Sequence, residues 1–204
     1  MDSFFWDLHQ SIDAIRPYKR EPTNAEERVL ARFCLVLAAL EAVWRSPLAW
    51  PPPWLGNAAP RNSAELLALV PDDWVEDAAA LGEAFSGMHR DWRDTDAFLN
   101  PVFAGSEDVG GADADFISQR CLWDVKTHKG RGARGAWLYQ LIGYVLLDYE
   151  NEYAIKRVGL LFPRHQTKIA WPIDELIARL SGNHKSHLPE LRERFQTLCR
   201  SVEA

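Results

Sequence analysis

Cysteine is scarce in this chain of 204 residues: Cys34, Cys121 and Cys199 are odd in number and far apart. That spacing argues against a disulfide framework and against a cysteine-based zinc site. Long apolar runs are also missing. Phe33 to Leu40 is among the longest, far short of the roughly 20 residues needed to span a bilayer. The opening Met1-Asp2-Ser3-Phe4-Phe5-Trp6-Asp7 carries acids where a secretory leader would carry basic residues. A cytoplasmic protein with no membrane attachment is therefore expected. Positive charge is not in excess either. A net charge of −6 argues against a general polyanion binder, whose footprint is a basic surface. No internal repeat and no low-complexity tail is present.

What is present suffices for a folded domain. Hydrophobic residues make up 47% of the chain, enough for a core, and the length fits one domain with a helical appendage. Asn24 and Glu27 are spaced as a capping box. From Val29 to Trp44, apolar residues recur at three- and four-residue steps, which predicts a long amphipathic helix ending near Ser46-Pro47. Residues 1–20 are weakly helical in spacing. Trp50-Pro51-Pro52-Pro53-Trp54 cannot be helical, because each proline removes a donor and restricts its predecessor. Helices are expected at 63–70, with Ser63 as its start, and at 72 to about 95.

The pattern then changes. Asp115-Phe116-Ile117 and Cys121-Leu122-Trp123-Asp124-Val125 predict two paired strands, and Gly130 to Gly135 predicts a loop. Ala136–Tyr149 predicts a helix, 154–162 and 167–171 a hairpin, and 174–182 and 189–202 closing helices. The class is a mixed α/β fold: a mainly helical portion over 1–97, a core over 98–173 and C-terminal helices over 174–204, within one domain.

Three consecutive elements carry chemistry. Alternation along Asp124-Val125-Lys126 puts the acid and the amine on one face and Val125 on the other. Asp115 begins the neighbouring strand, so two carboxylates can share a cation. Hard oxygen ligands suit Mg²⁺ or Mn²⁺. Such an ion activates a bound water, while Lys126 orients the nucleophile or stabilises developing charge. Gln140 and Tyr144 are four apart and share a helix face. A glutamine among Trp137, Leu138, Leu141 and Ile142 is either a core amide or part of this site. Between Arg120 and Arg134 stand five basic residues (Arg120, Lys126, Lys129, Arg131, Arg134) and one acid, Asp124. This net +4 segment is either a solvated loop or a surface for phosphates.

The succession Gly110-Gly111-Ala112-Asp113-Ala114-Asp115-Phe116-Ile117, Asp124-Val125-Lys126-Thr127 and Gln140-x-x-x-Tyr144 resembles the PD-(D/E)xK nuclease superfamily, in its RecB-like and Cas4-like branch, over about residues 100–172. The resemblance implies a restriction-endonuclease-like αβββαβ core that hydrolyses DNA, less often RNA, with Mg²⁺. It implies Asp115 and Asp124 as metal acids, Lys126 as the catalytic lysine, and Gln140 with Tyr144 as the supporting helix motif. Glu41 is the candidate for an upstream glutamate, its alternative being an i,i+4 pair with Arg45. Asp113 competes with Asp115, or supports a second ion. Ala114 replaces the proline of the family's name. Lys129, Arg131, Arg134 and His128 are the candidate nucleic-acid contacts, and His184 and His187 are read as surface residues. The nine tryptophans are mostly core, with some available for stacking on unpaired bases. DNA, a second copy of the chain and a protein that delivers substrate are the partners to consider. The other reading is an inactive nuclease-fold scaffold or binding subunit of a larger nucleic-acid-processing or defence complex.

Overall fold

The computed structural model describes residues 2–15, 22–46, 51–88, 97–130, 132–182 and 187–202. The chain divides into two compact units, Met1–Glu83 and Ala84–Ala204.

The first unit is helical. It contains α1 (Asp2–Ile15), α2 (Asn24–Arg45), α3 (Ser63–Ala68) and the beginning of α4 (Asp72–Met88). Phe4 meets Phe33 with ring centroids 5.3 Å apart, and Ala31, Val36, Val70 and Val75 complete the core. The start of α2 corrects the expected cap by one residue. Thr23, not Asn24, is the cap: its hydroxyl accepts the Glu26 amide at 3.4 Å, while the Glu26 carboxylate accepts the Thr23 amide at 2.7 Å. The reciprocal box forms where both orphan amides gain a partner, and Thr23-x-x-Glu26 achieves that. Likewise Asn62, not Ser63, caps α3 by accepting the Glu65 amide at 2.9 Å. Ser63 is instead buried in the first turn. Arg32 ties α2 to the α3–α4 junction through the carbonyls of Leu67 at 3.1 Å and Val70 at 2.8 Å and through the Asp72 carboxylate. The described part of the proline segment forms turns, as its composition requires. Trp50, and residues 89–95 of the expected α4, lie outside the described residues.

The second unit holds a mixed five-stranded sheet in the order β1 (Ala97–Leu99), β2 (Phe116–Ser118), β3 (Cys121–Val125), β4 (Arg157–Phe162), β5 (Thr167–Pro172). Strands β1, β2 and β3 are antiparallel, β3 and β4 are parallel, and β5 returns antiparallel to β4. The Gln119-Arg120 turn joining β2 to β3 takes positive φ at both residues, the conformation whose twist suits a two-residue hairpin. Helix α5 (Gly135–Leu147) connects the parallel pair, and α6 (Ile173–Ser181) and α7 (Leu188–Val202) follow the sheet.

Side-chain alternation sorts this sheet into two faces. Ile117, Leu122, Val158 and Leu160 pack with Leu141 and Val145 of α5. Phe116, Cys121, Trp123 and Leu161 point the other way, toward Phe85 and Met88. The mixed α/β class is thus present, and the α5 side of its sheet is buried at Ile117, Leu122, Val158 and Leu160. Among the described residues, no helix is long and apolar enough to cross a membrane.

Candidate active site

The site forms where β3 leaves the core. Asp124 follows Leu122 on the α5 face and is only 4% exposed, whereas Val125 packs with the opposite cluster. Lys126 lies one residue beyond the strand, yet its amide still donates to the Leu161 carbonyl at 2.7 Å. The backbone therefore stays extended, and Lys126 returns to the face of Asp124. Its Nζ lies 2.6 Å from Asp124 Oδ2.

Asp115 stands immediately before β2, on a register that pairs Phe116 with Trp123; one further step sets it opposite Asp124. Its Oδ2 accepts the Val125 amide at 2.5 Å, tying the carboxylate to the end of β3. From α5, Gln140 Oε1 accepts from Lys126 Nζ at 2.9 Å, and Gln140 Nε2 donates to the Tyr144 hydroxyl at 2.9 Å. Five of the expected residues are thereby joined across three elements. Gln140 is exposed rather than a core amide. Leu147, close to it in angle, is buried because it lies two turns, about 10 Å, further along the helix axis.

The electrostatics are those of a crowded, partly dry cluster. Burial pushes the Asp124 carboxyl above the usual aspartate range; Lys126 pulls it back and Asp115 pushes it further up. Burial also raises the Tyr144 phenol, and Asp124, Asp115 and Asp113 each add to that against the Gln140 hydrogen bond. All three acids are thus within electrostatic reach of one hydroxyl. Asp113 itself is exposed and bridges to Val102.

Asp115 and Asp124 are the residues that could hold a hard divalent cation. Asp124 Oδ2 is buried, with the Lys126 ammonium 2.6 Å away as its partner. Among the described residues, no three His, Cys, Asp or Glu side chains gather into a cage. Mg²⁺ does not need one: it keeps several waters and binds through one or two carboxylates plus substrate phosphates. Asp115 and Asp124 supply such a pair.

The remaining candidates are dispersed. Glu41 is an exposed residue of α2 in the first unit, and the Arg45 side chain lies outside the described residues. Lys129 is exposed. His128 is half-buried, with Nδ1 against Gly130 and Nε2 2.6 Å from Arg134 Nη2. Arg131 and His184 lie outside the described residues, and His187 is exposed.

Two contributions escaped the sequence. Trp137 has Lys126 Nζ at 5.7 Å and the Arg134 guanidinium at 5.4 Å from its ring, a distance at which the π face attracts cations. Its position three residues before Gln140 is the one available signal. The 3-10 turn Pro163–His165 reaches back to the loop after Lys126: Arg164 Nε donates to the Thr127 carbonyl at 3.1 Å, and His165 Nε2 lies 3.1 Å from the Gly130 carbonyl. Read as a hairpin turn, that segment gave no sign of this.

Comparison with family models, with curated proteins and with solved structures gives no match.

Proposed function

We propose that this protein is a Mg²⁺- or Mn²⁺-dependent nuclease that hydrolyses phosphodiester bonds in DNA. The observation that carries this reading is the continuous chain Asp124–Lys126–Gln140–Tyr144 with Asp115 fixed beside it. The element succession α4-β1-β2-β3-α5-β4 supports it further, since a PD-(D/E)xK core is expected to run αβββαβ.

Asp115 and Asp124 would hold the cation, and Asp113 is a further acid within electrostatic reach of Tyr144. The bound cation supplies an activated water and neutralises charge on the phosphate. The residues of the chain do the rest. Lys126, steered between Asp124 and Gln140, presents its ammonium to the oxygens on which negative charge develops. Gln140 holds that ammonium by accepting a hydrogen bond from it, and Tyr144 fixes the amide so that its oxygen, not its nitrogen, faces the lysine. Trp137 sets its ring 5.7 Å from the same ammonium, a further attraction for the cation.

The test is incubation of linear and circular DNA, single- and double-stranded, with Mg²⁺, Mn²⁺ or EDTA. Cleavage should require the metal and fall about 10²–10³-fold in Lys126→Ala, the scale of losing one charge-stabilising donor. Cleavage that survives both EDTA and Lys126→Ala sinks the reading. A second reading, a nuclease-fold binding subunit, is favoured by one observation: the net charge of −6 is not the basic footprint of a protein that binds DNA by itself. Absence of both cleavage and divalent binding by calorimetry would establish it over the first.

A further inference from the structure

A groove of about 640 Å³ opens beside the end of β4, between residues 132–133 and the β4–β5 turn. Its apolar side is Phe162, which also belongs to the core, and Ile169, which is 39% exposed. Arg164, His165 and Gln166 line the polar side. Among its described lining residues Arg164 and His165 are the ionisable ones and none is acidic, in a protein whose net charge is −6. Such a local inversion of charge is what a polyanion would meet.

Arg164 is anchored on the carbonyl of Thr127, the residue after Lys126, and His165 on that of Gly130. The polar wall of the groove is thereby tied to the loop that leaves Lys126. The volume falls within the roughly 300–1,000 Å³ of sites that enclose a small ligand. That is room for a nucleotide or two of a single strand.

Resting on the nuclease reading above, we propose that this groove seats single-stranded DNA, with phosphates on Arg164 and His165 and a base against Ile169 and Phe162. Apolar faces interleaved with cations are the general means of holding unpaired bases without reading their sequence.

Binding is measured in EDTA, by anisotropy of a labelled short oligothymidylate and of a duplex of equal length. The single strand should bind more tightly than the duplex. Ile169→Glu should weaken it about tenfold, within the range of losing one base contact, and Gln166→Glu, at an exposed turn position, should weaken it as well. Arg164→Gln should flatten the logarithmic salt dependence by about 0.7, one phosphate contact on a single strand. Unchanged affinity in both glutamate variants, or a duplex bound as well as the single strand, overturns the proposal. The two readings fail separately. If single-strand binding is lost in Ile169→Glu but no metal supports cleavage, the groove stands and the nuclease falls. If Lys126-dependent cleavage of single strands persists in Ile169→Glu with normal affinity, the nuclease stands and the groove falls.

Discussion

Lys126 and Gln140, one at the end of a strand and the other on the following helix, are joined by a hydrogen bond of 2.9 Å from Nζ to Oε1. Because the Gln140 amide donates at the same time to Tyr144, its orientation is set and the lysine is offered oxygen. Gln140→Met should therefore lower cleavage by about 10–100-fold, the usual effect of removing a group that orients a reactive one. Stability should change by no more than about 0.5 kcal/mol, since the position is exposed. Gln140→Glu keeps the acceptor and should retain more activity than Gln140→Met; equal loss in the two would refute the orienting role.

Asp115 has two tasks that substitution can separate. Its Oδ2 accepts the Val125 amide, which asparagine can also do, whereas only the carboxylate contributes charge to a cation. Asp115→Asn should keep the unfolding free energy within about 0.5 kcal/mol of wild type while abolishing Mg²⁺ binding by calorimetry. Asp115→Ala should lose both, at about 1–2 kcal/mol for the missing hydrogen bond. Metal binding undiminished in the asparagine variant would remove Asp115 from the site.

A buried ion pair away from the site makes the pH prediction. Arg192 Nη2 lies 3.5 Å from Asp148 Oδ2, with the residues 6% and 1% exposed. Burial raises the Asp148 carboxyl, with Arg192 and the amides of Glu152 and Tyr153 opposing it, and burial lowers the Arg192 guanidinium. A raised aspartate binds its proton more tightly in the folded state. Its contribution is therefore most favourable below the ordinary aspartate range and declines as pH rises through the raised value. Arg192→Leu removes the attraction and pushes Asp148 higher still. The variant's deficit should be smallest in acid and grow toward neutrality, to about 3–5 kcal/mol. Urea titrations of both proteins over that range test it; a deficit independent of pH would be inconsistent with it.

Gly159 pairs with Trp123 across β3 and β4. A Cβ there would run into the indole ring and stand 3.0 Å from the Ile169 carbonyl oxygen. Neither a packed ring nor a strand backbone can give way freely, so Gly159→Ala should destabilise by about 1–3 kcal/mol, read from urea unfolding. A neutral substitution would show that Trp123 is free to repack.

Much of this was legible in the residues. Period-2 alternation in Asp124-Val125-Lys126 places acid and amine together whatever surrounds them, because a strand's geometry is local. The same holds for Gln140 and Tyr144 on one helix face. Cap positions at Thr23 and Asn62 were missed by one residue, since two adjacent polar residues both qualify locally and only the folded chain decides which meets the amides.

The sequence by itself determined the order of helices and strands, save for β1, whose short segment was ambiguous, and which side chains share a face, because both follow from repeats of two and 3.6 residues along the backbone. It could not determine that Asp115 pins the Val125 amide, that Lys126 ends between Asp124 and Gln140, or that Arg164 reaches Thr127 from 37 residues away. Those relations depend on strand order and on the parallel β3–β4 pairing around α5, which no local repeat encodes. Tertiary structure also decided which charges are dry. Asp124 and Asp115 look alike in the chain, yet one is buried and the other exposed, and burial sets the price of a charge.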